Sequence, residues 1–421
     1  MDATAHIDDL GSFISASPSS YHAAAETARR LTEAGWTTLD EAADWREAIR
    51  PGARLVIVRD GAVIALALPA SVDAATPYRI LGAHTDSPTF KLKPRPALTS
   101  HGWLQAAVEI YGGPIIASWF DRELEFAGRL VTKNGDLHLV RTGPFARIPH
   151  LAIHLDRDVN TSFAPDRQRD VQPVFGVGGD DVLAHLAGVA GIEAAEIAGL
   201  DVVTVDTQAP RRFGAGDRLF AAGRLDNLSS VHAGLTALLR GEPGDAIAVL
   251  AAFDHEELGS ESRSGASGPF LADVLERVTA ALGGDRDDLA RAITRSWCLS
   301  ADAGHSVHPN RPEKHDPTHR PVAGRGPLLK INANQRYTTD AVGAALWART
   351  CAAANVPYQE FVSNNAVPCG STIGPLTATR LGIPTLDVGI PLLSMHSARE
   401  LCHIDDPAAL STAAEAFFRA V

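Results

Sequence analysis

The feature that most constrains this chain is a buried strand that ends in acid. Ala246 to Phe253 is an unbroken apolar run of strand length, and Asp254-His255-Glu256-Glu257 follows it without a linker. A run of that kind fits the interior of an open α/β sheet, where strands covered on both faces read as continuous hydrophobic segments. Such sheets bind ligands at the carboxyl ends of their strands. Two adjacent carboxylates at a buried strand end repel each other unless a cation stands near them. A solvated acidic loop is the plainer reading of the same pair.

The pattern recurs along the chain. Tyr78 to Gly82 is a short apolar strand that runs into Ala83-His84-Thr85-Asp86, and Ser296 to Ser300 is a strand ending at Asp302. Leu55–Val58 and Ala62–Leu68 read as strands around Asp60-Gly61, with further strands at Tyr358–Val362 and Pro384–Val388. Helical periodicity predicts helices from Ser17-Pro18-Ser19 to Glu33, Asp226 to Leu239, Leu271 to Leu282, Asp340 to Ala354 and Pro407 to Val421. From Lys93 to Phe213 that periodicity stops, and Gly and Pro punctuate short strand-like runs. Asn134-Gly135 within Arg129–Arg141 is a strong hairpin signal, and His150 to Leu155 reads as another strand. At roughly 150 residues per domain, 421 residues allow two or three domains. The expected organisation is an α/β domain of residues 1–92 and 216–421, interrupted by a β-rich domain of residues 93–215.

Charge and cysteine usage exclude several classes. Asp and Glu outnumber Lys and Arg by 50 to 38, a net charge of −12, which argues against nucleic-acid or anionic-membrane binding because both need a basic face. No apolar stretch approaches the roughly 18 residues of a membrane span. The start of the chain lacks the basic and apolar regions of a signal peptide. Cys298, Cys351, Cys369 and Cys402 are too scattered for a disulfide framework or a thiolate zinc site, and a reduced, cytoplasmic protein is expected.

The element ends present a mixed nitrogen and oxygen donor set: His84 with Asp86, Asp226, Glu256 with Glu257, Asp302, and His396. Without sulfur, it suits zinc, manganese or cobalt at a catalytic site rather than a closed structural one. In His84-Thr85-Asp86 the Asp86 carboxylate is placed to accept the second ring N–H of His84 and fix its tautomer. Of the glutamate pair, one member can bind metal while the other acts as general base. Taken singly, each has a plain alternative: Asp226 as a helix N-cap, Asp302 as a turn residue, His396 as a loop histidine. His150 and His154 read as structural, and His305 lies where it could reach an oxyanion. Lys330, a lone cation on an apolar run, needs an anionic partner, either a substrate carboxylate or an internal salt bridge.

Eight stretches, in order over nearly the whole chain, resemble the aspartyl aminopeptidases, the dinuclear-zinc family that also contains yeast vacuolar aminopeptidase I. They are Gly82–Pro88, Arg147–His154, Gly223–Asn227, Asp254–Ser260, Asp302–Asn310, Asn334–Tyr337, Cys369–Pro375 and Met395–Ser397. Residues 261–269 and the His315–Arg325 loop match more loosely.

The resemblance implies a zinc-exopeptidase-like three-layer α/β/α catalytic domain with an inserted β-rich dimerisation domain. It implies two zinc ions, with cobalt or manganese as possible substitutes. His84 and Asp302 would hold one, Glu257 and His396 the other, and Asp226 would bridge them. Glu256 would be the general base for a water activated by both metals. His150 and His305 would contact substrate, and Lys330 would read the acidic N-terminal side chain of a peptide. A dimer-based homo-oligomer, in family members a dodecamer, completes the expectation. The competing readings are a broad-specificity dinuclear-zinc aminopeptidase or dipeptidase, and a noncatalytic self-assembling scaffold with a peptidase fold.

Overall fold

Two large sheets hold most of the strands and differ in how they are covered. The computed structural model describes residues 2–179 and 181–419. Nine strands form the larger sheet, in the spatial order Thr37–Thr38, Arg54–Arg59, Ala62–Ala67, Ile247–Phe253, Tyr78–His84, Trp297–Ala301, Thr385–Gly389, Leu328–Ile331 and Gln359–Val362. Both faces are packed, so side chains alternate between two cores rather than between core and water. On Ile247–Phe253, Ala248, Leu250 and Ala252 enter one core with the helices Ala3–Ala16, Leu225–Arg240 and Asp405–Phe418. Ile247, Val249, Ala251 and Phe253 enter the other, with the helices Phe270–Ala281 and Ile373–Leu381. The result is three layers, α/β/α.

Register brings the polar strand ends to one edge. Tyr78–His84 runs parallel to Ile247–Phe253, with His84 opposite Phe253, and parallel to Trp297–Ala301 on its other side. Thr385–Gly389 is parallel to Trp297–Ala301. These central strands therefore finish together, next to Asp86, Glu256 and Asp302. Gly389 is required there, because a Cβ at this position would lie 1.8 Å from the carbonyl oxygen of Asp302.

The second sheet has six strands drawn from between Thr89 and Asp206, ordered Leu137–Arg141, Leu124–Thr132, Ile197–Asp206, Thr89–Ser100, Trp103–Tyr111 and Val174–Val177. The hairpin at Asn134-Gly135 pairs Arg129 with Leu139. One core, centred on Phe90, Phe126, Leu130 and Val202, serves this sheet, while Trp103, Leu137 and Val177 stay exposed.

Several local expectations need correction. The helix Ala3–Ala16 was not read from the sequence, although Asp2 caps it and Ile7, Leu10, Phe13 and Ile14 share its buried face. Arg286–Arg295 and Ile373–Leu381 are further helices not read from the sequence. The helix Val182–Ala190 interrupts the stretch read as free of helix. His150 to Leu155 is an irregular loop and turn rather than a strand, because its apolar residues pack against no neighbouring strand: Leu151, Ile153 and Leu155 are exposed. The last helix ends at Phe418, and the final positions of the segment expected to reach Val421 lie outside the described residues. All four cysteines are free thiols. Among the described residues no helix is long and apolar enough to cross a membrane.

Candidate metal centre

Each candidate ligand projects from a break in regular structure at the shared sheet edge. His84 is the last residue of its strand. Asp226 and Asn227 stand at the start of the helix Leu225–Arg240 with non-helical dihedrals, so Asp226 is turned out of the helix rather than capping it. Glu256 and Glu257 occupy a 3₁₀ turn directly after the buried strand. Arg224, His255 and His396 all have left-handed backbone, with φ of 59°, 64° and 66°. Such strain in non-glycine residues collects where function over-determines the chain.

The side chains converge in two groups that share Asp226. His84 Nε2 lies 3.3 Å from Asp226 Oδ1 and 3.5 Å from Asp302 Oδ1. His396 Nε2 lies 3.6 Å from Asp226 Oδ2 and 3.5 Å from Glu257 Oε1. One Asp226 oxygen therefore faces each group, and both groups are compact enough to hold an ion. Glu256 Oε2 is 4.0 Å from His84 Nε2, at the margin of the first group.

Two carbonyls set the histidine tautomers. A carbonyl oxygen only accepts, so His84 Nδ1 donates to the Asp86 carbonyl (3.0 Å) and His396 Nδ1 donates to the Gly113 carbonyl (3.0 Å). Both Nε2 lone pairs are thereby aimed into the cluster, the arrangement metal-binding histidines need. This revises the expected role of Asp86. Its backbone oxygen orients His84, and its carboxylate, 3.4 Å from His84 Nδ1, instead accepts the backbone N–H groups of Glu256 (3.0 Å) and Glu257 (3.2 Å) and the Tyr111 hydroxyl (2.8 Å). Asp86 thus positions the glutamate turn.

Tyr111 and Gly113, which sequence reasoning missed, come from the end of a strand of the second sheet. Gly112, at φ 68°, lets that segment press onto Glu257, where an added Cβ would approach the Glu257 Cβ to 3.1 Å. Ile115 N–H donates to the His396 carbonyl, and Ser118 Oγ accepts from the Ala398 N–H, both at 2.9 Å. No local motif marks these residues, because their partners lie far away in the chain.

The electrostatics call for positive charge. Burial lowers the affinity of His84 for a proton, but Asp226, Asp302 and Asp86 outweigh it and raise its pKa well above the ordinary value. His396 rises to about 10 in the same way, against burial and through Asp226 and Glu257. Burial drives Glu256 up to about 7, and drives Glu257 up with the help of Asp226. Every one of these shifts draws protons inward.

Zinc fits this demand. Asp226 Oδ1 and Glu257 Oε1 are buried without a hydrogen-bond partner, and an uncompensated buried carboxylate oxygen is costly. A tetrahedral ion with ligands at about 2.0–2.1 Å separates its ligand atoms by about 3.3–3.4 Å, close to the spacings within both groups.

The remaining candidates lie apart from the cluster or face it differently. Lys330 is 1% exposed, and its Nζ contacts Asp302 Oδ2 at 3.3 Å and the Ala303 carbonyl at 2.7 Å. That is the internal salt bridge, made with a candidate ligand. His305 is exposed on a two-residue strand beside Pro391–Leu392, edge-on to Phe361. His150 stands outside both groups, held by Asp121 (Nδ1 to Oδ2, 2.7 Å) and packed on Phe120 and Phe163.

Known proteins share this sequence and architecture. The model of the aminopeptidase I zinc metalloprotease family (M18) matches residues 13–418. A probable M18 family aminopeptidase 2 from Streptomyces avermitilis is 52% identical over 98% of this chain and 97% of its own length. The structure of Ape4 in complex with Nbr1 superposes with a TM-score of 0.95 at 34% identity, covering 99% of this chain and 86% of that one. The mApe1 dodecamer of S. cerevisiae gives 0.86 at 29% identity, over 98% and 96% of the two chains.

Proposed function

This chain belongs to the M18 family of zinc metalloproteases and is a zinc aminopeptidase, and we propose that it removes acidic residues, Asp or Glu, from the N-termini of peptides using two zinc ions. The observation that carries the two-ion reading is Asp226, whose carboxylate oxygens face different ligand groups. His84 and Asp302 would hold one ion, His396 and Glu257 the other, with Asp226 shared.

When bound, zinc supplies Lewis-acid polarisation of the scissile carbonyl and lowers the pKa of the attacking water. The protein supplies the rest. Glu256, at the margin of the first ligand group, would take a proton from that water on its carboxylate and pass it to the leaving amine. Asp86 holds the Glu256 and Glu257 backbone through two N–H donors, which keeps the base beside the cluster. His305, past Asp302, is assigned to the substrate.

The preference for acidic residues is supported by the resemblance and by Lys330. An ammonium has three donors, of which Asp302 and the Ala303 carbonyl take two; the third would meet a substrate carboxylate only once binding opens the surroundings of this buried side chain. The same salt bridge favours the second reading, a broad-specificity aminopeptidase in which Lys330 only steadies Asp302. Hydrolysis of Asp-, Glu-, Leu- and Lys-terminated peptides, before and after chelation and zinc readdition, separates the two. Activity that dies with the chelator, returns with zinc and favours Asp and Glu supports the proposal; equal rates on Leu and Lys overturn it. A noncatalytic scaffold would have no use for Glu256 or the paired ligand groups.

We also assign residues 93–215 to dimerisation and expect a dimer-based homo-oligomer, by analogy with the dodecameric yeast relative. Leu151 and Leu155, 58% and 74% exposed on the loop carrying His150, are apolar surface suited to a second copy. On the resemblance, His150 would enter the partner's active site. Sedimentation velocity at several concentrations tests this, and a monomer throughout would overturn it.

A further inference from the structure

We propose that Glu400 is a positioning residue of the metal centre, a buried carboxylate that pins Asp226 and His396 to one another through their backbones. The inference rests on the assignment of those two residues as ligands. Glu400 is 2% exposed. Its Oε2 accepts from the Asp226 N–H at 2.9 Å and its Oε1 from the His396 N–H at 2.8 Å. Two residues that face the same candidate ion, 170 positions apart in the chain, are thus tied to the two oxygens of a single side chain.

The fold places Glu400 for this. It opens the strand Glu400–His403, antiparallel to Leu219–Ala222, and stands opposite Ala222. The latter strand leads through Gly223 directly to Asp226. A Cβ at Gly223 would lie 2.8 Å from the Ala398 carbonyl, so glycine allows the two ligand loops to approach.

Glu400 has no ion pair among the described residues, and its hydrogen bonds to the two backbone N–H groups are neutral-donor contacts. Arg224, in the wall of a cavity that Glu400 also lines, acts on Glu400 from beyond ion-pair distance, and a cation held by Asp226, Glu257 and His396 would add to that compensation of a buried carboxylate. Glu400 lines this cavity of about 60 Å³ together with Asp86, Tyr111 and Asp226. Truncation there would admit water in place of the clamp, so an isosteric change is the better probe.

Glu400→Gln keeps the size but replaces one acceptor oxygen with an NH₂ that confronts a backbone N–H. Metal-free wild type and E400Q would be titrated with zinc against a competing chelator, and their cobalt(II) absorption spectra compared. Outer-sphere partners of metal ligands typically contribute 10–100-fold to affinity, so one of the two sites should weaken by that factor in E400Q, with an altered cobalt spectrum. Two zinc ions bound at wild-type affinity with an unchanged spectrum would overturn the role of Glu400 and leave the metal assignment standing. A wild type that binds no zinc would overturn both. Should E400Q fail to fold, amide hydrogen exchange on the metal-free wild type decides: slow exchange at Asp226 and His396 supports the clamp, and exchange at open-loop rates overturns it.

Discussion

Strand Ile247–Phe253 is buried at every position, whereas Leu137–Arg141 has only Val140 buried. The first belongs to a sheet covered by helices on both faces, the second to a sheet with one core. Full coverage leaves the strand ends as the place where polar groups can stand, and there the larger sheet gathers the histidines and carboxylates of the candidate metal centre. Partial coverage leaves Trp103 and Leu137 on the surface, and the loop carrying His150 adds Leu151 and Leu155, together an apolar area suited to assembly. The division is not complete, because Tyr111 and Gly113 of the second sheet's strand end hold Asp86 and His396. Chemistry sits on one sheet and part of its alignment on the other.

The largest effect expected of this division is confined to the larger sheet. Glu256→Gln should keep the wild-type zinc content and lower kcat by about 10²–10⁴, the usual worth of a general base; near-normal turnover with full metal content would remove Glu256 from the mechanism.

Acid should weaken the helical layer of the same sheet next. His6, buried between the helices Ala3–Ala16 and Leu225–Arg240 beside His232, is lowered to about 3, first by burial and then by the charge of His232. Because its folded value is depressed from about 6.5, the neutral form's stability is complete above pH 6.5 and lost as pH falls from there toward 3. The slope is about 1.4 kcal/mol per pH unit. At pH 5, His6→Leu should recover about 2 kcal/mol of the wild type's acid loss in denaturant unfolding. An unchanged acid slope would place the sensitivity elsewhere.

A smaller effect should cross between the sheets. Tyr111→Phe removes one hydrogen bond to the Asp86 carboxylate, worth about 1.5 kcal/mol, and should lower kcat roughly tenfold without changing the fold. No change in kcat would reduce the contact between the sheets to packing. Smallest of all, Leu151→Ser with Leu155→Ser should shift folding stability by under about 0.5 kcal/mol while reducing the sedimenting mass. Retained mass would show that this loop is not the contact.

Legibility in the sequence followed the same division. The strands ending at His84, Phe253 and Ala301 were readable because continuous apolar runs of strand length have few other solutions. Asp226, Glu256, Glu257 and Asp302 were readable as donors because each interrupts such a pattern. The loop carrying His150 was misread as a strand, since its alternating Leu151, Ile153 and Leu155 imitate a buried face that the fold leaves exposed. Helix Ala3–Ala16 went unread despite its spacing, which short polar interruptions at Asp8 and Asp9 obscure.

By itself, then, the amino-acid order determined the α/β layering, the sheet edge at which ligands gather and the inventory of donor residues. These follow from local hydrophobic pattern and chain direction. Only the tertiary structure decided which atoms meet: Asp86 on the glutamate turn rather than on His84 alone, Lys330 on Asp302, Gly113 on His396, and Glu400 on two backbones at once. Each of those contacts joins segments without a shared local pattern. Their strength comes from burial in a low-dielectric interior, which no stretch of sequence displays.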